Sequence, residues 1–156
     1  MEEISIIDIP SWKVLGMKQT GNYSLIPTLL FKLYEYAVTF NIPLAGPPAF
    51  ICHETSPESV KEANEKGTAV VECVWPIRGP AQGGGAIWPY EVPGGKMVRI
   101  LHKGPYDACE PTYLRLFTWM EERGLKVGRP IREVYLNDPH GIKPEEILME
   151  IYVPVV

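Results

Sequence analysis

The chain reads twice, and that repetition restricts its fold more than any other feature. Gly21-x-Tyr23 recurs as Gly104-x-Tyr106, and Tyr36 recurs as Trp119, both 83 positions on. Gly46-x-Pro48 recurs as Gly128-x-Pro130 after 82 positions, and VECVWPI (Val71 to Ile77) recurs as MEIYVPV (Met149 to Val155) after 78. Glu72 thereby falls on Glu150, and Pro76 on Pro154. The spacing drifts only where loops change length, so the matches stay collinear, as in a duplicated supersecondary unit.

Each copy has the same order of elements. Strands are predicted at Trp12 to Thr20 and Lys96 to Lys103, rich in aliphatic residues and bounded by Gly or Pro. An amphipathic helix follows each. Ser24 to Phe40 sets Leu29, Leu30, Leu33, Ala37 and Phe40 at helical spacing. Pro111 to Arg123 does so through Tyr113, Leu114, Phe117 and Met120, with Pro at its start and Gly124 after its end. Two more strands close each copy, at Ala49 to Glu54 and Thr68 to Pro76, then at Ile131 to Asn137 and Leu148 to Val156. The fold class is α+β: duplicated β-α-β-β modules with pseudo-twofold symmetry, forming an antiparallel sheet with helices on one side and a central ligand cleft. A β-α-β-β unit hides one sheet face under its helix and leaves the other bare for a second copy. Ligand sites gather at such internal junctions.

The whole chain, 1–156, reads as one domain. The first copy covers about 4–77, a linker about 78–88, and the second copy about 89–156. Two segments fall outside the match. The polar run Ser56 to Lys66 reads as a solvated loop or a short helix. The Gly-rich run Arg78 to Ile87 lacks the spacing of a phosphate loop and reads as the connection between copies.

Composition narrows the function classes. With 15 basic and 19 acidic residues the net charge is −4, and no basic stripe argues for direct nucleic-acid contact. The start, MEEISIIDIP, is not a secretory leader, and no apolar run is long enough for a membrane span. A cytoplasmic location without membrane contact is expected. Cys52, Cys73 and Cys109 are an odd number without metal-binding spacing. His53, His102 and His140 are scattered, and no cofactor or metal site is expected. Cys109 stands near a helix start, where a thiol pKa can fall, but no histidine adjoins it in sequence.

Several segments together resemble the GyrI-like family, the effector-binding domain also found at the C-terminus of multidrug-sensing transcription activators. They are Pro93-Gly94-Gly95, the His102-Lys103-Gly104-Pro105-Tyr106 turn, the helix with Trp119, and the closing Glu150-Ile151-Tyr152-Val153-Pro154. The resemblance is clearest over 88–156 and reaches the rest of the chain through the repeat. It implies a two-module fold around a cleft that takes up bulky lipophilic or cationic molecules. In some relatives a pocket glutamate and an aromatic hydrolyse strained, electrophilic toxins, and another relative protects DNA gyrase. With its first strand expected near Ile4, the chain resembles the stand-alone members.

Glu150 and Tyr152 stand two apart on a predicted strand, so both point to one face. Glu133 and Tyr135 repeat that arrangement one strand earlier, and a hairpin is expected to gather all four. A carboxylate among aromatic faces receives cations, and partial desolvation raises its pKa toward general acid–base use. Spacing alone puts such a glutamate on the solvent face as readily, and the resemblance moves Glu150, then Glu133, into the cleft. Tyr36 and Trp119 are candidate cleft walls or plain helix-to-sheet packing. Trp88 and Tyr90, in a loop-like stretch, are a candidate lid or a docked linker. The preferred reading is a small-molecule-binding protein for lipophilic or cationic compounds. The alternatives are a hydrolase of cyclopropane-type electrophiles using Glu150, Glu133 and Tyr152, or a gyrase-protecting interaction protein. The apolar C-terminal strand is expected at a sheet edge, open to pairing into a homodimer.

Overall fold

Alternation along the strands gives this protein a sheet with two differently furnished faces. The computed structural model describes residues 3–156. The strands are β1 (Ser5–Ile9), β2 (Trp12–Gly21), β3 (Ala49–Cys52), β4 (Ala69–Pro76), β5 (Trp88–Val92), β6 (Gly95–Lys103), β7 (Ile131–Tyr135) and β8 (Leu148–Pro154). The helices are α1 (Leu25–Thr39), α2 (Pro57–Lys66) and α3 (Glu110–Glu122). All strands join one antiparallel sheet in the order β1-β6-β8-β7-β3-β4-β2-β5, curled into a half-barrel.

That order is a palindrome of the two copies. β6-β8-β7 mirrors β2-β4-β3, and the copies meet where β3 pairs with β7. Each copy also lends its leading strand to the other. β1 runs into β2 but pairs with β6, whereas β5 runs into β6 but pairs with β2. The two turns after these leading strands press together: a Cβ on Gly94 would overlap the Ile9 carbonyl and the Pro10 backbone. A stretch read from sequence as loop-like, around Trp88 and Tyr90, is therefore the edge strand β5. The closing strand β8 lies between β6 and β7, not at an edge. The edge-pairing route to a dimer through β8 is thus corrected, because its backbone groups are already paired on both sides.

The register also locates the symmetry axis. Ala49 pairs with Val74, and Arg132 pairs with Tyr152. Glu72 matching Glu150 sets Val74 against Tyr152, so Ala49 corresponds to Arg132 and Phe50 to Glu133. Phe50 and Glu133 are themselves cross-strand partners. The pseudo-twofold axis therefore passes between these two residues.

The helices bury against one face. Leu29, Leu33 and Ala37 of α1, with Thr112, Leu116 and Met120 of α3, are buried there. Two apolar positions of the sequence pattern turn outward: Phe40 is 60% exposed and Leu114 is 53% exposed. The run Ser56 to Lys66 takes the helical alternative. Ser56 and Ser59 form a reciprocal capping box, Pro57 opens the helix, and Gly67 ends it at φ +66°. No helix among the described residues is long and apolar enough to cross a membrane.

Gly94 is the test of the exchanged leading strands. Gly94→Ala is expected to lower stability by about 1–3 kcal/mol, because the new methyl meets backbone that cannot move aside. Gly46→Ala, whose Cβ would find only Pro76 at 3.8 Å, should stay within about 0.5 kcal/mol. Urea denaturation of the two variants separates these outcomes.

Candidate functional site

Three carboxylates carry the chemistry, and their partners decide which one is available. On the face away from the helices, Glu150 is ion-paired with Arg99 and accepts a hydrogen bond from the Tyr152 hydroxyl at 3.0 Å. Its repeat counterpart Glu72, 5% exposed, accepts from Tyr90 at 2.6 Å and contacts His53 Nε2 at 2.7 Å. Tyr90 reaches Glu72 only because Gly16 has no side chain, since a Cβ there would overlap the phenol. Arg99 occupies the position equivalent to Gly16, 83 residues on. The two copies thus compensate equivalent acids with different partners.

The same face holds Arg132, 2% exposed, its guanidinium 4.4 Å over the Trp12 ring and one Nη donating to the Pro93 carbonyl. Its Nε and other Nη make no hydrogen bond among the described residues, and burial pulls its pKa down to about 10.

Glu133 is different. It lies half-buried on the helix face, and no basic side chain forms a hydrogen bond or ion pair with it among the described residues, although the His102 ring is near enough to act on its charge. Tyr113 donates to its Oε2 at 2.5 Å, and Tyr135 donates to its Oε1 at 3.3 Å. Phe50 faces it across the axis, Tyr23 packs edge-on to Phe50 at 5.7 Å, and Tyr106 packs edge-on to Tyr135 at 5.1 Å. Burial raises the Glu133 pKa above the usual carboxylate range, and the two phenol hydrogen bonds and the nearby His102 oppose that only in part. The acid in turn lifts its neighbours. Cys52 and Cys109 are pushed up to about 12, first by burial and then by Glu133, which favours the thiol over the thiolate in both. Burial also holds the Tyr113 and Tyr135 hydroxyls well above their ordinary range, as proton donors.

The expected cluster of four therefore divides. Glu133 and Tyr135 face the helices, and Glu150 and Tyr152 face away. The register pairs Glu133 with Ile151 and Val134 with Glu150, so side chains two apart on one strand stay together while the two sets alternate. Tyr36 and Trp119 are partly buried and pack against the core on the helix side of the sheet. Tyr36 donates to the Gln82 carbonyl at 2.7 Å, and Trp119 lies under the Arg123 guanidinium at 3.8 Å. An open recess of about 360 Å³ beside Trp119 is lined by Ile4, Leu114, Arg115, Thr118 and Glu122, and Glu133 is not among its lining residues. Trp88 stands 56% exposed on the edge strand, and Tyr90 serves Glu72. Among the described residues, no group of three His, Cys, Asp or Glu side chains is arranged to hold a metal ion. Tyr113, Tyr106, Tyr23 and Phe50 escaped the sequence reading. The repeated Gly-x-Tyr was the signal for two of them.

Residues 2–156 match the GyrI-like small molecule binding domain, and the chain belongs to that family. The C-terminal domain of EcmrR superposes with a TM-score of 0.80 at 22% identity, covering 100% of this chain and 98% of that one. In the EcmrR–DNA complex the TM-score is 0.82 at 23% identity over 99% of this chain, which spans 57% of the EcmrR chain. A Listeria innocua protein described as a hydrolase gives 0.73 at 17% identity, covering 99% and 92%. SAV2435 bound to tetraphenylphosphonium gives 0.63 at 13% identity, covering 99% and 94%. No curated protein matches.

A raised acid has a definite signature in stability. The folded state holds the Glu133 proton more tightly than the unfolded chain does. Stability from this group is full at low pH and is lost as pH rises from the ordinary carboxylate pKa through the raised one. Glu133→Gln removes that loss. Melting temperatures should coincide with the unmutated protein near about pH 4 and exceed it by roughly 2–4 °C at about pH 8. A variant less stable at the higher pH would mean that the carboxylate is compensated after all.

Proposed function

We propose that this chain is a receptor for lipophilic monocations, which it holds with the positive charge on Glu133 and the apolar body against the surrounding aromatic rings. The observation that carries this reading is the single carboxylate without a basic partner among Tyr113, Tyr135, Tyr106, Tyr23 and Phe50. A half-buried anion of this kind, short of a basic partner, favours a proton or a cation. Ring faces around it favour the cation, and their apolar bodies reward a greasy one. Tyr113 and Tyr135 now lie on the carboxylate, so a ligand arrives by parting them. The tetraphenylphosphonium held by SAV2435 is the kind of molecule this site suits.

Calorimetry with tetraphenylphosphonium tests the reading. Glu133→Gln should weaken binding roughly tenfold or more, whereas Glu150→Gln, on the opposite face and already paired with Arg99, should leave it unchanged. Affinity of the unmutated protein should fall as pH drops through the raised Glu133 pKa, by up to about tenfold per unit, because the protonated acid no longer attracts the cation. Reversal of the two variants would move the site to the other face.

The paired phenols also favour a second reading, hydration of a strained ring. Glu133 would take a proton from water as its oxygen attacks the electrophilic carbon. Tyr113 would give its proton to the carbon released by ring opening, and the acid would return one to the phenol. Mass analysis of a cyclopropane electrophile after incubation decides this reading. A gain of one water with the unmutated protein, absent with Glu133→Gln, supports it, and recovery of intact compound rejects it.

A further inference from the structure

The approaches to Glu133 from the two copies are built differently. Each copy enters its first helix through a Gly-x-Tyr turn, and both tyrosines border the site. In the first copy the turn is tied from outside. The Tyr23 hydroxyl donates to Glu54 Oε1 at 2.6 Å, and the Tyr23 N–H donates to Asn64 Oδ1 on α2 at 2.9 Å. Glu54 is itself fixed, accepting the Val70 N–H at 3.2 Å.

The second copy has none of these ties. Between β7 and β8 the chain forms only a single 3-10 turn, Pro144–Glu146, in place of an α-helix like α2. The position matching Glu54 is Asn137, 83 residues on. Its side chain is spent on the following loop, donating to the Glu146 carbonyl and accepting the Leu148 N–H, both at 3.0 Å. The Tyr106 hydroxyl has no hydrogen-bond partner among the described residues, and the ring rests on Tyr135, which in turn donates to Glu133.

Besides the backbone bond from the Gly104 N–H to the Ile147 carbonyl at 2.8 Å, the side chain that holds this turn lies beneath it. His102, 4% exposed, bonds through Nε2 to the Pro105 carbonyl at 2.9 Å and through Nδ1 to Thr112 Oγ1 at 2.8 Å. A carbonyl only accepts, so Nε2 carries the proton. In the neutral ring Nδ1 then accepts from the threonine hydroxyl. The equivalent residue of the first copy, Gln19, is exposed. His102 thus takes over, from inside, the holding that α2 and Glu54 do from outside.

We propose that His102 is a positioning residue, the clasp that sets how readily the Tyr106 turn opens to admit a ligand to Glu133, while the Tyr23 turn is the fixed wall. The proposal rests on Glu133 being the ligand site. Two substitutions separate clasp from bulk packing. His102→Gln places an amide N–H where Nε2 stood, and His102→Asn is too short to reach Pro105.

Amide hydrogen exchange on the ligand-free chain reads the clasp directly. In His102→Asn, exchange at Tyr106 to Cys109 should rise about tenfold, return to the unmutated rate in His102→Gln, and stay unchanged at Tyr23 to Ile26 in both. Stopped-flow uptake of tetraphenylphosphonium should quicken about tenfold in the asparagine variant alone. If that variant does not fold, Thr112→Val, which removes only the bond to Nδ1, should show the same pattern more weakly. Equal exchange in all proteins, or loosening of both turns by both variants, would overturn the proposal. Exchange as stated in a protein that takes up no tetraphenylphosphonium would keep the clasp and reject the receptor reading.

Discussion

The pairing of β3 with β7 is the joint on which this molecule turns. Among the described residues the central strands of the two copies meet here alone, over four residue pairs. So short a seam would leave two modules loosely hinged. The exchange of β1 and β5 prevents that, because separating the copies would also strip an edge strand from each. The result is a rigid axis with helices flanking it on one side. A ligand at that axis touches both copies at once, and internal junctions of this kind are where pockets form.

Duplication alone would make a symmetric site, and a symmetric site would suit a symmetric ligand. The chain departs from symmetry where the axis emerges. Phe50 faces Glu133, and Ala49 corresponds to Arg132. On the helix side one copy supplies an aromatic face and the other supplies the acid. On the opposite side a guanidinium stacks on Trp12 where the other copy has only a methyl. The sheet keeps the two charges on separate faces, so Arg132 does not neutralise Glu133 by contact.

Much of this architecture is legible in the sequence, for a physical reason. Strand and helix positions follow hydrophobic period, and the repeat doubles that signal, so the order of elements and the family could be read from residues alone. The face of each glutamate could not be assigned across strands. Residues two apart on one strand share a face whatever the fold, which is why the Glu133–Tyr135 and Glu150–Tyr152 pairings hold. Whether neighbouring strands put their pairs on the same face depends on register, and a shift of one residue reverses it. Trp88 and Tyr90 misled for a related reason: β5 pairs with the copy that precedes it, and nothing local to WPYEV signals a partner so far away.

The three acids show how stability and function divide the same chemistry. Glu72 and Glu150 are finished: each has hydrogen-bond donors, and one has a guanidinium. Completed pairs of this kind fix a sheet face but have little left to offer a ligand. Glu133 has two phenols and no ion-paired base, and partial burial leaves it with a cost that these phenols and the nearby His102 offset only in part. A protein selected for stability alone would place an apolar residue here, as the first copy does with Phe50. Under the proposed receptor reading that retained cost becomes affinity, since a ligand that supplies the missing charge would remove a penalty the empty site still bears.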